Sequence, residues 1–150
     1  MQSKLGTTDR RYTILIIGIS RGIGRGLAAE YLRRGWFVIG TVRSSTVDPE
    51  LEAMAAGMAG GLRVERLDMT RPSEIGTLRE RLAYDRLDVL IVNAGISDHN
   101  VPVAEIDEAT FNEVMSTNAL APLKVIDTID SHRSAGGLHF VNAENEVVPW

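Results

Sequence analysis

Seven residues, Gly18-Ile19-Ser20-Arg21-Gly22-Ile23-Gly24, constrain this chain more than any others. They join an apolar, β-rich run at residues 12–17 to a stretch with the apolar spacing of a helix. Three glycines in a GxxxGxG pattern let a chain reverse tightly and bring its backbone close to a ligand. They also aim the unpaired N–H groups of a starting helix at an anion. A side chain at Gly22 or Gly24 would obstruct phosphates or the close contact of helix with strand. A tight turn that holds no ligand is the plainer alternative. The placement directly between strand and helix is what a pyrophosphate-binding turn requires.

The rest of the sequence alternates in the same way, which predicts βαβ units and a parallel sheet. The first helix is expected over residues 22–34, with Ile23, Leu27, Tyr31 and Leu32 on one face and Gly35 as a left-handed stop. A second strand is expected at 36–42. Asp48 and Pro49 open a helix ending near Gly60. A third strand follows at 62–67, and Pro72 opens a helix running to about Tyr84. Residues 87–92 (LDVLIV) read as a central strand covered on both faces. Pro122 interrupts a long helical pattern over 107–129 and predicts a kink or break. A turn at 134–137 precedes a fifth strand at 138–142. The expected fold is a single three-layer α/β domain over residues 1–150, doubly wound, with strand order 3-2-1-4-5 and a loose arm at 1–11.

Composition narrows the function. The chain has 150 residues, enough for one well-buried core. The net charge of -4 argues against a nucleic-acid partner. The apolar run at 14–17 is far too short for a membrane span or a leader core. Cysteine is absent, which excludes disulfides, thiolate metal sites and a cysteine nucleophile, and fits a cytoplasmic location. No cluster of metal ligands is apparent.

Four segments in order resemble the short-chain dehydrogenase/reductase family. They are the glycine turn, Asp68-Met69 after the third strand, Asn93-Ala94-Gly95 after the fourth, and Asn118 within Ser116-Thr117-Asn118-Ala119. Together they span nearly the whole chain. The resemblance implies a Rossmann-type fold that binds a nicotinamide dinucleotide and an oxidoreductase acting on a small carbonyl or alcohol. It places Asp68 and Met69 at the adenine. It assigns Asn93, Ala94 and Gly95 to the nucleoside and nicotinamide-ribose region. Asn118 becomes the holder of a water in a proton relay, through a helix irregularity. A mid-helix Asn facing solvent is the alternative for Asn118.

The cofactor form follows from the end of the second strand. An acid there bonds the ribose 2′-hydroxyl, whereas an Arg attracts a 2′-phosphate. Here Thr41-Val42-Arg43-Ser44-Ser45 carries no acid before Asp48, and Arg21 offers a second guanidinium beside Ser20. The expectation is NADP(H), with NAD the lesser choice.

Departures from the family pattern limit the chemistry. The family's proton donor is a Tyr with a Lys four residues on. None of Tyr12, Tyr31 and Tyr84 has that Lys, and Trp150 comes before the point where the family's Tyr falls. Glu144 or Asn145 stands where the family has Ser, and Ile17 stands where it has Thr. His99 is a weak substitute acid, and Lys124, six residues after Asn118 and on a different helical face, is not assigned that role. Two readings therefore stand beside a reductase: a non-catalytic NADP(H)-binding or sensing module, and a shortened inactive product. If the polypeptide ends at Trp150, the fifth strand is an unprotected edge, which predicts self-association.

Overall fold

A computed structural model describes residues 10–44, 49–57, 61–97, 101–130, 140–141 and 147–148. These fall into two compact units, one within Met1–Asp68 and Tyr84–Ile96, the other within Met69–Ala83 and Ser97–Trp150.

The first unit is built on a parallel sheet of β1 (Thr13–Ile17), β2 (Phe37–Val42), β3 (Leu62–Arg66) and β4 (Val89–Val92). Their order is β3-β2-β1-β4. Ile14, Leu15, Ile16 and Ile17 are all buried, so β1 is covered on both faces, as its unbroken apolar run requires. Burial of each such side chain contributes roughly 1.5–3 kcal/mol. Alternate residues Ile14, Ile16, Val38 and Val42 face α1 (Gly22–Arg33) and α2 (Pro49–Gly57), where Ala28, Leu32 and Leu51 complete the core. β1, β2 and β3 follow one another outward, and β4 then returns to the other side of β1. In open α/β sheets, ligands bind beyond the carboxyl ends of the strands at such a reversal, here β1 and β4.

Helix α1 stops where Gly35 was expected to stop it. Gly35 has φ of 77°, its N–H donates to Leu32 O at 2.9 Å, and the Trp36 N–H donates to Tyr31 O at 3.0 Å. These two bonds form a Schellman motif. Its apolar contact is aromatic: Trp36 packs edge-on against Tyr31 and stacks on Tyr12, each with ring centroids 5.0 Å apart. One expectation fails on this helix. Ile23 is 76% exposed and takes no part in the buried face, which runs through Gly24, Ala28 and Leu32. Ile23 lies about 100° round the helix from Gly24, so the first turn is seated on the sheet through glycine and not through isoleucine.

The second unit contains α3 (Pro72–Arg81), α4 (Glu108–Met115) and α5 (Ala121–Asp130), with a π-helical turn at Ser116–Leu120. Pro122 explains that turn. It has no N–H to offer the carbonyl of Asn118 four residues back, so α-type bonding cannot continue through this point. The Ala121 N–H donates instead to Ser116 O, five residues back. The expected break therefore lies just before the proline and contains Asn118.

The fifth strand differs from expectation. Phe140–Val141 is a strand, β5, but it pairs antiparallel with Val147–Val148, β6. A partner a few residues away closes a far shorter loop than a distant sheet edge does. In the four-stranded sheet β4 is half-buried along its length. The turn expected at 134–137 lies outside the described residues.

Asp107 caps α4, its Oδ1 accepting the Thr110 N–H at 2.7 Å. The hydrogen bond from Thr110 holds its carboxyl below the usual aspartate range. The folded state thus favours the ionised form. This contribution is complete above the unfolded-state value of about 3.9 and is lost as pH falls through the lower folded value. Asp107→Asn keeps a competent cap and should flatten the acid limb of a Tm-against-pH curve. An unaltered acid limb would count against the assignment.

Candidate cofactor-binding site

The glycine turn is shaped by its neighbours within the first unit. Gly18, with φ of 90°, leaves the β1 ladder. A Cβ on it would lie 2.8 Å from the Cβ of Ala94. Gly24 is tighter still, because a Cβ there would lie 1.8 Å from the Gly18 carbonyl oxygen and 2.6 Å from Asn93 Nδ2. Asn93 Nδ2 donates to that same carbonyl at 3.2 Å, and the N–H groups of Asn93 and Ala94 both donate to Ile17 O, at 3.0 and 2.9 Å. Gly18, Gly24, Asn93 and Ala94, singled out from separate segments, are thus in mutual contact. Their first task is to seat the exit of β4 against the exit of β1.

Gly22 plays a different part. Its φ is 57°, but nothing lies within 4 Å of where its Cβ would stand. The first turn of α1 has no acidic residue, and its N-cap, Arg21, makes no side-chain capping bond. A helix start with uncapped donors, no carboxylate and an open, side-chain-free approach is suited to an anion with several oxygens. The residues present fit a pyrophosphate.

Beside this turn lies the end of β2. The Ile19 N–H donates to Thr41 O at 2.9 Å, and the Gly18 N–H donates to Thr41 Oγ1 at 3.0 Å. Arg21 follows Ile19 by two residues and Arg43 follows Thr41 by two, so both arginines leave from one junction. Both are exposed, as are Ser20 and Ser44. Among the described residues neither arginine enters an ion pair, unlike Arg25, which meets Glu50 at 3.4 Å. The Leu67 N–H donates to Val42 O at 3.0 Å, which brings the following Asp68, half-buried, to the same edge.

Met69 is only 5% exposed, so its side chain is a core group. Gly95 and Asn118 are exposed, Asn118 within the π turn of the second unit. Ser45, His99, Glu144 and Asn145 lie outside the described residues.

Two residues escaped the sequence reading. Thr41, 1% exposed, takes two successive N–H groups of the turn. A Cβ on Gly40 would come within 2.2 Å of Ile19 Cδ1, so that glycine gives the turn's isoleucine its seat. A glycine inside a strand does signal close approach. A threonine in a strand signals nothing beyond the strand.

The sequence profile described as "short chain dehydrogenase" matches residues 12–144. A 3-oxoacyl-(acyl-carrier-protein) reductase of Haemophilus influenzae is 37% identical over 106 residues, which make up 69% of this chain and 42% of that protein. A short-chain dehydrogenase/reductase of Burkholderia multivorans, solved with bound NADP, is 42% identical with a TM-score of 0.73. The match covers 82% of this chain and 54% of that one. An NADH-dependent reductase complexed with NAD is 29% identical with a TM-score of 0.71, covering 82% of this chain and 52% of its own. The chain thus spans about half the length of these relatives. With the profile matched from β1 to beyond β5, this chain belongs to the short-chain dehydrogenase family.

Proposed function

We propose that this chain binds NADP(H) in the service of an oxidoreductase that interconverts a carbonyl and an alcohol on a small molecule. The observation that carries the reading is the uncapped start of α1, open at Gly22, with the uncommitted Arg21 and Arg43 on either side of one junction. The N–H groups of Gly22, Ile23 and Gly24 hold the pyrophosphate. Arg21 and Arg43, with Ser20 and Ser44, take the 2′-phosphate. Asp68 receives the adenine, with Met69 contributing backbone. Ala94 and Gly95 let the chain approach the nucleoside closely, and Asn93 keeps that exit rigid. When bound, the reduced nicotinamide supplies a hydride to a carbonyl carbon. Asn118 in its π turn holds a water on the proton path.

A second reading is binding without turnover by these residues themselves. Tyr12 and Tyr31 are packed on Trp36, and Tyr84 has no lysine four residues later. None of these three tyrosines is therefore set up as a proton donor to an alkoxide. A cytoplasmic location completes the proposal.

At a hundredfold excess over Kd, NADPH should raise the Tm by roughly 5–10 °C. A panel of aldehydes and ketones, followed by NADPH absorbance, separates the two readings. Oxidation above background supports the reductase, and a Tm shift without oxidation supports the binding module. No Tm shift would refute both.

A further inference from the structure

We infer that Thr41 is a positioning residue that couples pyrophosphate binding to recognition of the 2′-phosphate. The inference rests on the NADP(H) reading above. Its basis is a single buried hydroxyl. β1 and β2 are in register up to Ile16 opposite Gly40, and one position further on the pairing changes character. Gly18, with φ of 90°, presents its N–H to the Thr41 side chain at 3.0 Å, while the next N–H, of Ile19, goes to the Thr41 carbonyl at 2.9 Å. One residue of β2 therefore receives both N–H groups that lead into the phosphate turn.

The hydroxyl has no evident substitute from the preceding strand. Residue 17 is isoleucine, so β1 ends without a side-chain acceptor for its own turn. Thr41 is 1% exposed, which keeps water from replacing the bond readily. Gly40 and Thr41 act on opposite faces of β2. The bare Gly40 admits the Ile19 side chain, and the Thr41 hydroxyl holds the backbone beside it. The turn is moulded onto β2 as much as onto β1.

The consequence is selectivity. Arg43 leaves β2 two residues after Thr41, and Arg21 leaves the turn two residues after Ile19. The junction at Thr41 thus sets where the two guanidinium groups stand relative to the donors of α1. Loss of the hydroxyl lets the turn shift against the β2 end. A ligand held at both places loses more than one held only at the turn.

Thr41→Val removes the hydroxyl and nearly preserves shape. It should weaken NADPH about tenfold and NADH about threefold, so that the preference ratio drops roughly threefold. Thr41→Ser keeps the hydroxyl and should keep the wild-type ratio. A hydroxyl that merely stabilises the fold would lower Tm and weaken both cofactors by one factor, and an unchanged ratio in Thr41→Val overturns the inference. Should that variant fail to fold, Thr41→Ala is measured in its place, with the same drop expected and the same result overturning it. A wild-type protein with no NADPH preference would instead refute the cofactor reading itself.

Discussion

Replacing Arg43 with aspartate and Arg21 with alanine inverts the preference of this protein between NADPH and NADH. Both side chains are exposed and outside any ion pair among the described residues, so none of the described carboxylates has to be displaced when phosphate arrives. A charge-assisted contact between a guanidinium and a phosphate is worth roughly 1.5–3 kcal/mol, or about one to two decades of affinity. Aspartate at 43 reverses the sign. It accepts a hydrogen bond from a 2′-hydroxyl and repels a 2′-phosphate. NADPH affinity should fall at least about a hundredfold, and NADH affinity should rise or hold. Because the arginines are exposed, the wild-type preference should shrink as ionic strength rises. Fluorescence titrations at two salt concentrations measure both effects. A double variant that keeps the wild-type ratio would show that the phosphate is read elsewhere.

Most of what this prediction uses was legible in the sequence, and the reason is chemical. Glycine is needed for positive φ and close backbone approach, so Gly35 announced its left-handed stop, and Gly18, Gly22 and Gly24 announced a tight turn with close approach. Pro122 announced a break, since its missing N–H falls on a definite carbonyl. That the break becomes a π turn around Asn118 depends on which longer bond replaces the lost one, and no residue type encodes that. The exposure of Ile23 was hidden because the buried row begins with Gly24 and Ala28, small residues that weigh little in apolar spacing. The existence of a strand near Phe140 was readable from its residues, whereas its partner, β6, depends on closure of a chain segment. Thr41 was invisible for a further reason. A β-branched residue in a strand looks the same whether its hydroxyl is idle or holds a turn.

The glycines of the turn should separate when each is changed to alanine. A Cβ on Gly24 would lie 1.8 Å from the carbonyl oxygen of Gly18, a backbone atom already held by Asn93 and unable to swing aside. Gly24→Ala must therefore push α1 away from β1 or break the seat of β4. A loss of several kcal/mol in stability is expected, with cofactor binding lost as a result. Gly22→Ala meets no protein atom within 4 Å. Its cost to the fold is the left-handed backbone alone, about 1–2 kcal/mol. Its methyl group, however, enters the open approach where phosphate oxygens would come to the N–H groups of α1. The expected result is a protein that folds, with a modestly lower Tm, yet binds NADPH and NADH alike at least tenfold more weakly. Chemical denaturation and cofactor titration of the two variants make the comparison. If Gly22→Ala binds both dinucleotides as the wild type does, no phosphate approaches at that point, and the glycine serves only to turn the chain.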